Sequence, residues 1–100
     1  MNDVPRSDGQ AALDVRRRKL LYRAGHRGMK EMDLLLGGYV ESHIRDLSNE
    51  ALGVLERLLD ESDQDLLAWM TGQKPVPERW DGELFRDIVA HQREKAHAER

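Results

Sequence analysis

Apolar positions recur every three or four residues along this chain, and no stretch of five or more alternates cleanly between apolar and polar. The pattern therefore predicts helices and no strand. Leu13, Leu20, Leu21 and Ala24 share one side of a helix predicted from about Ala11 to Ala24, with Arg16, Arg17, Arg18 and Lys19 mostly on the other. Gly25 is placed to end it, since glycine accepts the left-handed conformation that follows many helices. A second helix starts near Met29, with Met29, Met32, Leu36, Tyr39, Val40 and His43 at helical spacing and Leu34 and Leu35 on its flanks. A helix apolar over so much of its circumference is the central one of an array. Within it, Gly37 and Gly38 each cost about 1 kcal/mol relative to alanine, which predicts a kink or a close helix crossing.

Ser48 reads as the N-cap of a third helix, with Glu50 in its first turn, Leu47 set to pack on Leu52, and a buried stripe of Leu52, Leu55, Leu58 and Leu59. Ser62, with Asp65 three residues on, caps a short fourth helix whose Leu66, Leu67, Trp69 and Met70 face inward before Gly72 stops it. Pro75 and Pro77 make Gln73 to Trp80 an extended linker. A last helix from near Gly82 buries Leu84, Phe85, Ile88 and Val89; beyond His91 no large apolar residue remains, so residues 92–100 are expected to fray. The fold expected is all-α, one compact domain of about five short helices over residues 11–91, with residues 1–10 flexible.

Composition narrows the function. With 100 residues, 39% hydrophobic, five aromatics and no cysteine, the core is modest and thiolate metal sites, iron–sulfur ligation, disulfides and cysteine nucleophiles are excluded together. No apolar run approaches the roughly 18 residues that a membrane span needs. The first ten residues carry Asp3 and Asp8 and lack an apolar stretch, which fits a cytoplasmic protein. His26, His43, His91 and His97 lack the spacing of a helical metal pair, and the glycines match no phosphate-binding loop.

The formal net charge of -3 hides a separation along the chain. Arg16 to Lys30 holds seven cations and no acid, whereas Asp46 to Asp65 holds seven acids against Arg57 alone. Such runs are ordinarily solvated helix faces; the alternative is a basic docking surface that steers the protein onto an acidic partner. A helix-turn-helix DNA reader fits poorly, because the basic run lies in the first helix and the turn after it, and the acidic remainder repels phosphate.

The turn joining the first two helices reads Arg27-Gly28-Met29-Lys30-Glu31. Gly28 permits a backbone geometry that projects Arg27 outward, and Glu31, in the first helical turn, is within reach of a salt bridge to it. Arg27, Gly28 and Glu31 form R-G-x-x-E, followed by Met32-Asp33 and Leu34-Leu35-Leu36-Gly37. Further on come Leu58-Leu59, Asp63-x-Asp65-Leu66, Trp69, Gly72 and Lys74-Pro75. In these two blocks the chain resembles the SdhE family, the FAD assembly factors of succinate dehydrogenase.

The resemblance implies a helical chaperone-like protein, not an enzyme. It would bind the unassembled flavoprotein subunit of succinate dehydrogenase, or of fumarate reductase, and promote covalent attachment of FAD to a histidine of that subunit. The factor itself would hold no cofactor stably and no metal. Arg27, Gly28 and Glu31 would sit at the partner contact, with His26, Lys30 and Asp33 beside them. A monomer or weak homodimer is expected, without membrane or nucleic acid. The competing reading is a small regulatory binder, antitoxin-like or associated with nucleic acid.

Overall fold

Asp14 opens the first helix. In the computed structural model, which describes residues 13–98, its carboxylate accepts the Arg17 N–H at 2.8 Å, and α1 spans Val15–Gly25. Ala11 and Ala12, which the apolar pattern assigned to this helix, lie outside the described residues, as does the segment expected to be flexible. The cap starts α1 later than the pattern predicted, and Leu13, ahead of it, is buried in the core. Gly25 does not end α1 by turning left-handed. It stays helical, and the residue that takes a positive φ is Gly28, at 98°.

The remaining elements are α2 (Lys30–His43), α3 (Asn49–Leu58), α4 (Asp63–Met70), a 3-10 turn (Glu78–Trp80) and α5 (Glu83–Ala98). Among the described residues there is no strand. Ser48 and Ser62 cap α3 and α4 as their positions predict, each hydroxyl accepting a backbone N–H three residues on, from Ala51 and Asp65, at 3.1 Å. The linker after Gly72 is extended only in part, because Glu78–Trp80 closes into a 3-10 turn that puts the Trp80 ring into the core. Residues 92–98 stay in the helix, with α5 continuing to Ala98, and Gln, Arg, Glu, Lys and Ala in that stretch all favour helix; residues 99 and 100 lie outside the described residues.

Met32, Leu36, Tyr39 and Val40 of α2 are each fully buried, which makes α2 the central helix. Around them pack Leu20 and Ala24 of α1, the α3 stripe with Leu59, Leu66, Trp69 and Met70 of α4, and Phe85 and Ile88 of α5. Leu34, expected to add apolar area to the packed flank, instead faces solvent at 64% exposure.

The glycine pair does not kink α2, which is continuous from Lys30 to His43. It permits a close crossing: a Cβ placed on Gly37 would lie 3.0 Å from the Gly25 Cα, so the backbones of α1 and α2 touch there. Arg17 at the other end of α1 reaches the Ile44 carbonyl beyond the end of α2, so the two helices run antiparallel. Arg16 pairs with Glu56, Arg23 with Asp60 and Arg27 with Asp63. These partners advance in step, so α1 and α3 run the same way, with the α3–α4 loop beside the α1–α2 turn.

Candidate functional site at the Arg27–Gly28 turn

Four residues, His26 to Met29, carry the chain from α1 to α2. The positive φ of Gly28 lets it reverse direction, and nothing lies within 4 Å of where its Cβ would be, so this glycine is needed for its backbone and faces open space. Asp33, in the first turn of α2, accepts the Arg27 backbone N–H at 2.6 Å and ties the turn to the helix it feeds.

The Arg27 side chain goes inward, against the expectation that it projects outward to meet Glu31. It is only 10% exposed, and its Nε–H pairs with Asp63. One terminal nitrogen donates to the Leu59 carbonyl at 2.9 Å and the other to the Glu61 carbonyl at 2.7 Å. Those carbonyls follow the end of α3, where backbone acceptors lack helical partners, and the planar guanidinium fork meets both at once. Asp63, the first residue of α4, offers a carboxylate that is mostly covered, whereas that of Glu31 stands on an exposed helix face. The α3–α4 loop is held from its other side as well. Glu61 accepts from Arg79 at 3.0 Å and from the buried Trp80 indole N–H at 2.9 Å, and these hydrogen bonds hold its carboxyl below the usual carboxylate range.

His26, Gly28, Lys30 and Glu31 are exposed. The structure therefore joins Arg27, Gly28 and Asp33 into one braced turn and leaves His26, Lys30 and Glu31 as its outer surface. The His26 ring stacks on Tyr22, with centroids 3.9 Å apart and planes 12° from parallel, and Tyr22 is itself 65% exposed. Among the residues that sequence reasoning did not place at the turn, Asp63 and the Leu59 and Glu61 carbonyls complete it. Asp63 belongs to the second sequence block, but spacing alone carries no sign that this block folds against the first. The carbonyls belong to the backbone and leave no mark in the sequence.

Four of the seven cations between Arg16 and Lys30 (Arg16, Arg17, Arg23 and Arg27) pair with acids of this chain, which reduces the basic docking surface to Arg18, Lys19 and Lys30, all exposed. Arg16, Arg23 and Arg27 each meet an acid of the 46–65 run, and Arg17 reaches Asp14 and the Ile44 and Leu47 carbonyls. The Arg16 guanidinium holds the Glu56 carboxyl below the usual range. Three cations of the first run thus find their partners in the second. Among the described residues, no group of three or more His, Cys, Asp or Glu comes together to hold a metal ion, and no helix is long and apolar enough to cross a membrane. His43 and His91 do approach, with ring centroids 5.3 Å apart beside Tyr39. Their rings meet edge to face, 82° apart, and no third His, Cys, Asp or Glu among the described residues joins them.

A family model described as "Flavinator of succinate dehydrogenase" matches residues 18–92, which include the whole of this turn and its supporting loop. The chain is 42% identical over 81 residues to "Succinate dehydrogenase assembly factor 2, mitochondrial" of Candida glabrata, covering 77% of this chain and 53% of that protein. It is 36% identical over 96 residues to the protein of the same name from Mycosarcoma maydis, covering 90% of this chain and 40% of that one. With "FAD assembly factor SdhE" of Acetobacter pasteurianus it shares 38% identity over 81 residues, 81% of this chain and 74% of that protein. It thus spans about half the length of the fungal relatives. With both sequence blocks and the turn they build inside the matched region, the chain belongs to the family described as flavinators of succinate dehydrogenase.

Proposed function

We propose that this protein is an assembly factor. It binds the unassembled flavoprotein subunit of succinate dehydrogenase, or of fumarate reductase, and promotes covalent attachment of FAD to that subunit in the cytoplasm. The observation that carries the reading is the family match over residues 18–92. It is supported by a rigidly braced turn that presents Gly28, Lys30 and Glu31 to solvent. Stability alone does not require Lys30 and Glu31 at these exposed positions, since surface charges contribute under about 1 kcal/mol.

The mechanism needs no acid, base or metal from this chain. The bond-forming groups belong to the flavin and the subunit. The factor has only to bind the reactive conformer of the subunit more tightly than the others, and a few kcal/mol of differential affinity shifts that population decisively. Bound FAD is therefore cargo of the subunit and not a resident cofactor of this protein. The alternative, a regulatory binder touching nucleic acid, is disfavoured by the internal pairing of Arg16, Arg23 and Arg27, which takes away part of the cationic surface that phosphates would neutralise.

Co-expression with a cognate flavoprotein subunit tests the proposal. Covalent flavin, read as in-gel fluorescence after denaturation, rises when this protein is present. A signal independent of it refutes the function.

A further inference from the structure

We propose that Arg27 serves this function from inside the protein, and that Asp63 and Asp33 are positioning residues which, through Arg27, set the place of the Gly28–Glu31 surface that the partner meets. The inference rests on the assembly-factor reading and assigns residues outside the R-G-x-x-E motif to its working part.

Three observations carry it. First, the Arg27 guanidinium is committed: Nε–H to Asp63, and the two terminal nitrogens to the Leu59 and Glu61 carbonyls, with 10% of the side chain exposed. Two of its five N–H groups carry no internal partner, but with 10% of the side chain exposed a partner could take them fully only by drawing the group out, leaving two backbone carbonyls and a carboxylate without their donor. Second, the loop that holds it is itself braced, by Arg23 on Asp60 and by Arg79 and the Trp80 indole on Glu61. A braced loop works as an anchor; a free one would only follow the turn. Third, Asp33 grips the Arg27 backbone N–H from α2, so the turn is pinned at main chain and side chain within one residue, immediately before the left-handed Gly28. The residues after that reversal, Lys30 and Glu31, are exposed, and their positions follow from those two pins.

The fork geometry makes a sharp distinction. Lysine keeps the charge of Arg27 but is a point donor that cannot span two carbonyls and a carboxylate. Asparagine at 63 keeps an acceptor oxygen for the Nε–H, whereas alanine does not.

The experiment titrates full-length Arg27→Lys, Asp63→Ala, Asp63→Asn and Glu31→Ala into the flavinylation reaction. It separates the factor concentration giving half-maximal rate from the maximal rate, and amide hydrogen exchange is followed over residues 26–31. Asp63→Ala and Arg27→Lys raise the half-maximal concentration about tenfold, the scale of a lost charge-assisted hydrogen bond, and speed exchange at 26–31. Asp63→Asn stays near wild type, a rescue that general loss of stability would not give. Glu31→Ala weakens binding without changing exchange. Far-UV circular dichroism identifies any variant that fails to fold, and Asp63→Asn and Arg27→Lys are mild enough to keep the comparison. Wild-type half-maximal concentration in Asp63→Ala, or full function in Arg27→Lys, overturns the inference while the assembly-factor reading stands. If wild-type protein itself promotes no flavinylation, that reading fails. The positioning claim is then judged on exchange alone, and unchanged exchange at 26–31 in Asp63→Ala overturns it.

Discussion

Replacing Gly37 by alanine and, separately, Gly53 by alanine makes one chemical change at two helix interiors with opposite consequences. Both sites gain the intrinsic preference of alanine for helix, about 1 kcal/mol. At Gly53, in α3, the new methyl meets only the ends of the Arg16 and Arg57 side chains at 3.7 Å, an ordinary contact that flexible groups accommodate. Gly53→Ala is therefore expected to stabilise by close to the full propensity gain. At Gly37 the methyl would stand 3.0 Å from the Gly25 Cα, with the Gly25 nitrogen at 3.5 Å and the Ala24 carbonyl oxygen at 3.6 Å. Carbon atoms pack best about 3.5–4.0 Å apart, and backbone cannot rotate away, so α1 has to move off α2. Overpacking of this kind costs about 1–3 kcal/mol. Since the propensity term is common to both variants, their difference isolates the crossing, and Gly37→Ala should lie about 1–3 kcal/mol below Gly53→Ala. Urea unfolding of the three proteins measures this directly, and at about 4–8 °C per kcal/mol for a domain of this size the melting temperatures separate visibly. Equal gains from the two substitutions would refute the close crossing, because a Gly37 with room for a methyl would behave as Gly53 does.

Ser48→Ala and Ser62→Ala each remove a hydroxyl that accepts an N–H at the start of a helix, and each should cost about 1 kcal/mol in chemical denaturation. Leu34→Ala, at a position 64% exposed, should change stability by less than about 0.5 kcal/mol in the same assay, unlike a truncation of the fully buried Leu36 two residues on. Stability should also fall at both ends of the pH scale. Glu56 and Glu61 are held low, chiefly by hydrogen bonds from Arg16 and Arg79, so their stabilising effect is complete at neutral pH. It is lost as pH drops below the ordinary glutamate value of about 4.5, seen as a falling melting temperature. Burial, and then the hydrogen bond to Asp87, pushes the Tyr39 phenol up. Its contribution is therefore intact below the ordinary tyrosine value of about 10 and lost above it, when unfolding should accompany tyrosinate absorbance.

Much of the local chemistry, where a residue acts on its neighbours, was legible in the sequence. The 3.6-residue period placed five helices and most of the buried stripe, and Ser48 and Ser62 marked two helix starts, because those features depend on side chains one turn apart. The reading failed at two local features and wherever the deciding partner is distant along the chain. Asp14 capped α1 later than apolar spacing predicted, but Asp14 is itself local, and that signal was available at Arg17. The burial of Trp80 was not available, since it depends on Glu61, 19 residues away, accepting the indole N–H. Residues 92–98 were expected to leave the helix for want of apolar groups, yet the helical preferences of their side chains suffice to continue α5.

The motif at the first turn shows the division most plainly. That Gly28 permits a reversal and that Arg27 needs an anion or a set of acceptors follow from their covalent structure alone. Which acceptors Arg27 takes is a tertiary matter, because Glu31 and Asp63 are chemically similar and only the packing of α1 against α3 brings Asp63 and the Leu59 and Glu61 carbonyls to the guanidinium. The same holds for charge. Composition and order along the chain reveal a basic run and an acidic run, but a one-dimensional pattern does not distinguish a surface facing a partner from two halves facing each other. The parallel pairing of Arg16, Arg23 and Arg27 with Glu56, Asp60 and Asp63 shows that part of the two runs face each other, since opposite charges brought within hydrogen-bond distance neutralise one another before any partner arrives.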